Sequence, residues 1–180
     1  MAKRPSKSES LTIRLDPKTR FMLEFIARLR GQTITTVVER AISAAADDAT
    51  FQRGNSDVNW RDYWHVNEGV RALRMARAEP LHPTYEEERR LRFAEHFWPF
   101  FYTDSDKYAF NFTYLDVLWP HFDELVEMHE QTKASNYLAV VAEMQGMLQR
   151  AKLEVPTWPP TVKKPKNSDF GRNLDDEIPF

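Results

Sequence analysis

Leu11, Ile13 and Leu15 alternate with Ser10, Thr12 and Arg14, the period-two pattern of a strand with one apolar face. Pro17 ends the alternation, because it has no N–H to give to a ladder. It suits the first turn of a helix for which Asp16 is the N-cap. From Lys18 the apolar period becomes helical, with Leu23, Ile26, Ala27 and the stem of Arg30 on one face until Gly31 supplies a stop. Thr33 and Thr35 offer hydroxyl caps for a second helix whose predicted buried stripe is Val37, Val38, Ala41, Ile42 and Ala45. A second stripe on the first helix, Met22, Phe25 and Leu29, asks for cover from the C-terminal region or from a partner.

Beyond this, Gly54, Asn55, Ser56 and Asp57 mark a hinge over residues 51–59. Residues 60–78 read as partly helical, ending before Pro80 and Pro83. Thr84 and Glu87 make a capping box for a helix with Leu91, Ala94, Phe97 and Trp98 inward, stopped near Pro99. Residues 111–131 supply another helix, interrupted at Trp119 and Pro120. Ser135 is the predicted cap of a last helix reaching Lys152 through Leu138, Val141, Met144 and Leu148. From Pro156 the chain turns to Pro, Lys and Asp, a tail that has no need to pack. The aromatic density of residues 93–122 is expected to be core or protein interface. A base-stacking groove is disfavoured there, because the stretch carries more acid than base.

One strand followed by two helices is not a finished fold, since a lone strand has two unpaired edges. The simplest completion is a twofold dimer in which each chain gives its strand to an antiparallel ribbon backed by four helices. Leu11, Ile13 and Leu15, with Leu23, Ile26, Val38 and Ile42, then form the dimer core. Ser10, Thr12 and Arg14 of both chains line the open face of a two-stranded ribbon, which is the width the DNA major groove admits.

With this order of elements, residues 9–48 resemble the ribbon-helix-helix (Arc/MetJ/CopG-like) DNA-binding family. The residues carrying the resemblance are Leu11 through Pro17, the spacing of Leu23, Ile26 and Ala27, the Gly31-Gln32-Thr33-Ile34-Thr35 turn, and Val37 through Ile42. The resemblance implies that Ser10, Thr12 and Arg14 read base edges, Arg14 through a bidentate contact to guanine. It also implies that Thr33 and Thr35 anchor a phosphate at the amino end of the second helix, where free N–H groups and the helix dipole converge. Lys3, Arg4 and Lys7 form a basic arm expected to track the phosphate backbone.

Charge agrees. The chain of 180 residues has a formal net charge of -2, yet residues 1–46 sum to +5 and the remainder to −7. A basic end on an acidic body is the distribution of a small nucleic-acid-binding module attached to something else. Zero cysteines exclude disulfides, thiolate metal sites and cysteine nucleophiles. No apolar run approaches the ~20 residues of a membrane span and no signal peptide is legible, so a cytoplasmic protein is expected. The glycines are scattered, and His121 and His129 stand two turns apart, too far to share an ion alone. No enzyme, cofactor or metal is expected.

The expected architecture is mostly α. It comprises a basic arm (1–8), a ribbon-helix-helix domain (9–50), a linker (51–59), a helical aromatic-rich domain (60–155) and an extended tail (156–180). The expected partners are double-stranded DNA and a second copy, with higher oligomers on DNA, and a protein met through the C-terminal domain. The expected role is a transcriptional repressor or autoregulator. The alternative is an adaptor of antitoxin, plasmid-partition or relaxosome-accessory type, in which the N-terminal unit mainly dimerises.

Overall fold

The computed structural model describes residues 11–160 and is mostly helical, with one small antiparallel sheet. The chain divides into two compact units, Met1–Asp62 and Tyr63–Phe180.

In the first unit, α1 spans Pro17–Arg30 and α2 spans Ile34–Asp48. Their ends are set by local chemistry. Asp16 accepts from the N–H groups of Lys18 (3.0 Å) and Thr19 (3.1 Å), Pro17 occupies the first turn, and Gly31 closes α1 at φ 59, ψ 37. Thr33 Oγ1 accepts from the Thr36 N–H at 3.1 Å and opens α2. The helices pack on each other, but the burial they achieve is small. Ala27 and Val37 are buried, while Leu23, Ile26 and Val38 are half-buried. Ala41, Ile42 and Ala45, expected to be covered, are exposed. Residues 11–16 form no strand in the single chain, and Leu11, Ile13 and Leu15 stand 80%, 57% and 44% exposed. A strand needs a partner edge, and none of the described residues of this chain supplies one.

Residues 51–58, within the expected linker, hold regular structure. Phe51–Arg53 (β1) and Ser56–Val58 (β2) pair as a hairpin, with Phe51 opposite Val58 and Arg53 opposite Ser56. Gly54 takes φ 63 at the first loop position, as a two-residue turn of type II′ requires. The short helix α3, Trp60–Tyr63, follows. The Trp60 indole N–H donates to Asp47 Oδ1 at 2.9 Å and Arg61 pairs with the same oxygen at 2.7 Å, which fastens the hairpin's exit to the end of α2. The Trp60 and Arg61 contacts hold the Asp47 carboxyl below its usual range.

In the second unit the helices are α4 (Glu68–Ala76), α5 (Tyr85–His96), α6 (Phe112–Leu118), α7 (Phe122–Thr132) and α8 (Ala139–Arg150). The capping box of α5 forms as expected, with Thr84 Oγ1 accepting from the Glu87 N–H and Glu87 accepting from the Thr84 N–H at 2.7 Å. Proline breaks the helices at Trp98–Phe100 and Trp119–His121, each becoming a 3₁₀ turn. The core is largely aromatic: Phe97, Phe100 and Phe101 are fully buried, and Phe93 meets Phe97, Phe101 and Phe122 within 6 Å. Gly69 is required by close approach, because a Cβ there would lie 2.8 Å from the Trp119 ring.

Residues 60–78 are helical in part, as expected: residues 64–67 separate α3 from α4, with Asn67 capping α4 through a bond from the Val70 N–H at 3.1 Å. Two expectations fail in this unit. The last helix begins at Ala139, so Ser135 belongs to the turn after α7 and Leu138 is 56% exposed. The tail expected to begin at Pro156 without packing instead lays Trp158 against the core, continuing the contacts of Leu153 and Val155 just before it.

Candidate nucleic-acid interface

The residues expected to meet DNA fall into three groups. Lys3, Arg4, Lys7 and Ser10 lie outside the described residues. Thr12 and Arg14 are exposed and immediately precede the α1 cap. Asp16, two residues after Arg14, is fixed by the Thr19 hydroxyl (2.5 Å) and by two backbone N–H groups. These bonds, the hydroxyl first, keep its carboxyl below the ordinary value. The backbone leaving Arg14 therefore enters the helix at a defined angle.

The third group is the amino end of α2. Thr33 and Thr35 are both exposed there, and Thr33 has its hydroxyl engaged by the Thr36 N–H and the Thr36 hydroxyl (2.9 Å). The Ile34 and Thr35 N–H groups find no acceptor among the described residues, and the first turn holds no acidic side chain. An uncompensated positive helix end remains, open to an anion. Of the residues expected to form a dimer core, Leu11, Ile13, Leu15 and Ile42 are exposed, and Leu23, Ile26 and Val38 are half covered.

The second unit contains constellations that sequence spacing does not reveal. The Arg77 guanidinium donates to Glu95 Oε1 (2.9 Å), to the Tyr102 hydroxyl (3.2 Å) and to the Lys107 carbonyl (2.7 Å), and so ties three segments together. Burial pushes the Tyr102 phenol up to about 12, with Arg77 opposing the shift. His96 and His129 stack under Tyr137 and Trp158. These residues come from distant parts of the chain, and neither period two nor period 3.6 links them. Glu95, His96, Tyr102 and Lys107 fall within the aromatic-dense stretch 93–122, whereas Arg77, His129, Tyr137 and Trp158 lie outside it.

One shallow cavity of about 250 Å³ is lined by Glu68, Arg90, Trp119, Pro120, Phe122 and Asp123. It falls below the roughly 300 Å³ where ligand pockets begin. Its wall is an Arg90–Asp123 pair bonded twice at 2.7 Å, which leaves that carboxylate engaged. Among the described residues no group of three or more His, Asp or Glu is placed to hold a metal ion, and no helix is long and apolar enough to cross a membrane.

Comparison with protein-family models, with curated proteins and with solved structures gave no match. The functional reading therefore stands on the residues and their geometry.

Proposed function

We propose that the chain is a homodimeric, sequence-selective DNA-binding protein of repressor type, which reads the major groove with a ribbon made from residues 9–15 of two copies. The observation that carries this reading is the unfinished state of the first unit. Two helices bury only Ala27 and Val37 between them, while Leu11, Ile13, Leu15 and Ile42 stay 44% to 80% exposed. Leu11, Ile13 and Leu15 share one parity, so a single strand-pairing event covers all three and also satisfies the free backbone groups. Pairing leaves Thr12 and Arg14, with Ser10, on the open face. The +5 charge of residues 1–46 and the bare amino end of α2 supply the attraction to phosphate.

The second unit is the protein-contacting part in this reading. Trp64 is 59% exposed with the Arg71 guanidinium 4.8 Å over its ring, and Val66 beside it is 86% exposed. Trp and Arg in this arrangement are the residue types enriched at binding hot spots.

The test is a gel-shift selection from random duplexes with wild type and Arg14→Ala. The wild type selects a short inverted repeat, with affinity falling steeply as salt rises. Arg14→Ala remains dimeric and loses about 1–3 kcal/mol of discrimination at one base pair of each half-site. A wild-type protein that selects nothing at low and moderate salt refutes the proposal. The adaptor role is the second reading, favoured by Phe21, Phe25 and Leu29. These are 68%, 55% and 72% exposed on the side of α1 away from Ala27, where the ribbon gives no cover.

A further inference from the structure

The second unit holds a histidine cluster that DNA binding does not use. His96 ends α5 and His129 sits in α7, with ring centroids 5.8 Å apart at 30°. Tyr137 is hydrogen-bonded to His96 Nε2, and Phe97 stands edge-on to both imidazoles at 4.6 and 5.0 Å. Trp158 closes the cluster, 5.9 Å from His96 and 5.1 Å from Phe97.

Trp158 lies at the end of a strap, residues 153–158, that crosses the unit after α8. Its Leu153 and Val155 also pack on the core. Polar tethers are few: the Tyr114 hydroxyl donates to the Glu154 carbonyl (2.7 Å), the Gln145 amide to the Pro156 carbonyl (3.1 Å), and the Leu153 N–H to the Leu148 carbonyl (3.0 Å). At its far end the strap is held by Trp158, which packs on Phe97 and Phe100 as well as on His96.

Two imidazoles at this spacing resist carrying two charges. His129 Nδ1 is buried without a hydrogen-bond partner, so a proton there becomes a donor with no acceptor. The charged groups facing the pair are Lys107 toward His96, and Lys133 and Glu130 toward His129. The two lysines oppose a further positive charge. Glu130 favours one, but Arg89 already engages both its oxygens at 2.8 and 3.0 Å. Burial first, and the neighbouring cations after it, hold both histidines below their ordinary value.

We propose that the His96–His129 pair is a proton-operated latch, which when neutral packs Trp158 and the 153–158 strap onto the second unit and when protonated releases them. The sign follows from linkage. Both imidazoles bind protons less well latched than released, so the latch is fully stabilised above the ordinary histidine pKa of about 6.5 and weakens as pH falls below it.

The full chain labelled with 5-fluorotryptophan tests this by fluorine NMR, with Trp158→Phe assigning the resonance. Between about pH 7.5 and about pH 5 the Trp158 signal moves to the position of an exposed indole, while those of Trp98 and Trp119 hold. A Trp158 signal that stays in place overturns the latch, as does one that moves identically in His96→Gln/His129→Gln. The histidine titrations of Trp158→Ala decide independently of how well that double variant packs. With the indole removed, both imidazoles titrate closer to the ordinary value, because linkage is reciprocal. Unchanged titrations overturn the proposal.

Discussion

Ile13→Ser is the substitution that bears most directly on the proposed ribbon. In the single chain Ile13 is 57% exposed, so more than half of its side chain remains to be covered by a second copy. Full burial of an isoleucine contributes about 1.5–3 kcal/mol, which makes the uncovered share worth about 1–1.5 kcal/mol per protomer. Serine also puts a hydroxyl beneath the helices without a partner, at about 1 kcal/mol each. A twofold interface counts every change twice, so the dimer loses about 4 kcal/mol and its Kd weakens roughly a thousandfold. Sedimentation equilibrium of the full chain reads this directly. Thr12→Ala, one residue away but on the other face of the strand, is the control and leaves association unchanged. Self-association of Ile13→Ser within about threefold of wild type would mean that this face does not form the interface. Equal weakening by Thr12→Ala would mean that the strand does not alternate as argued.

Two further outcomes are expected. Gly69→Ala gains about 1 kcal/mol of helix propensity in α4 but forces a methyl to 2.8 Å from the Trp119 ring, an overpacking cost of about 1–3 kcal/mol. Urea unfolding followed by near-ultraviolet circular dichroism should show net destabilisation in wild type and a reversed sign in a Trp119→Ala background; a stabilised single variant contradicts the close approach. Thr33→Ala loses the cap on the Thr36 N–H and about 1 kcal/mol of stability, whereas Thr33→Asp retains the cap and places a negative charge where a phosphate is proposed to sit. Thr33→Asp should therefore unfold like wild type and bind DNA more weakly, and undiminished DNA affinity would remove Thr33 from the phosphate site.

What could be read from the sequence was what is decided within a turn of helix. Asp16 with Pro17, Gly31, Thr33, and Thr84 with Glu87 all act on N–H or carbonyl groups a few residues away, and each does so as expected. The 51–58 hairpin was missed because its strands are three residues long and mostly polar, too short for alternation to register. What fastens its exit is Trp60 and Arg61 reaching Asp47, a contact thirteen and fourteen residues distant. Ser135 was misplaced because a hydroxyl before an apolar run is also what a post-helix turn contains, and here it follows the end of α7. The His96–His129 stack joins positions 33 residues apart in α5 and α7, helices that also meet through Phe93 and Phe122 and through the Arg89–Glu130 and Arg90–Asp123 pairs.

The two units differ in what completes them, and that difference is the strongest argument about function. The second closes its own core around Phe97, Phe100 and Phe101. The first has helices of 14 and 15 residues, a length at which helices alone are marginal in water, and the burial of one alanine and one valine does little to hold them. In the proposed function, whatever covers Leu11, Ile13, Leu15 and Ile42 adds the burial that these helices lack alone. In the proposed dimer the cover is a second copy, and the same step brings together two copies of the +5 charge of residues 1–46. Association and DNA affinity are then coupled. Each copy repels the other electrostatically until phosphates neutralise both, so DNA tightens the dimer by the same factor that dimerisation tightens DNA binding.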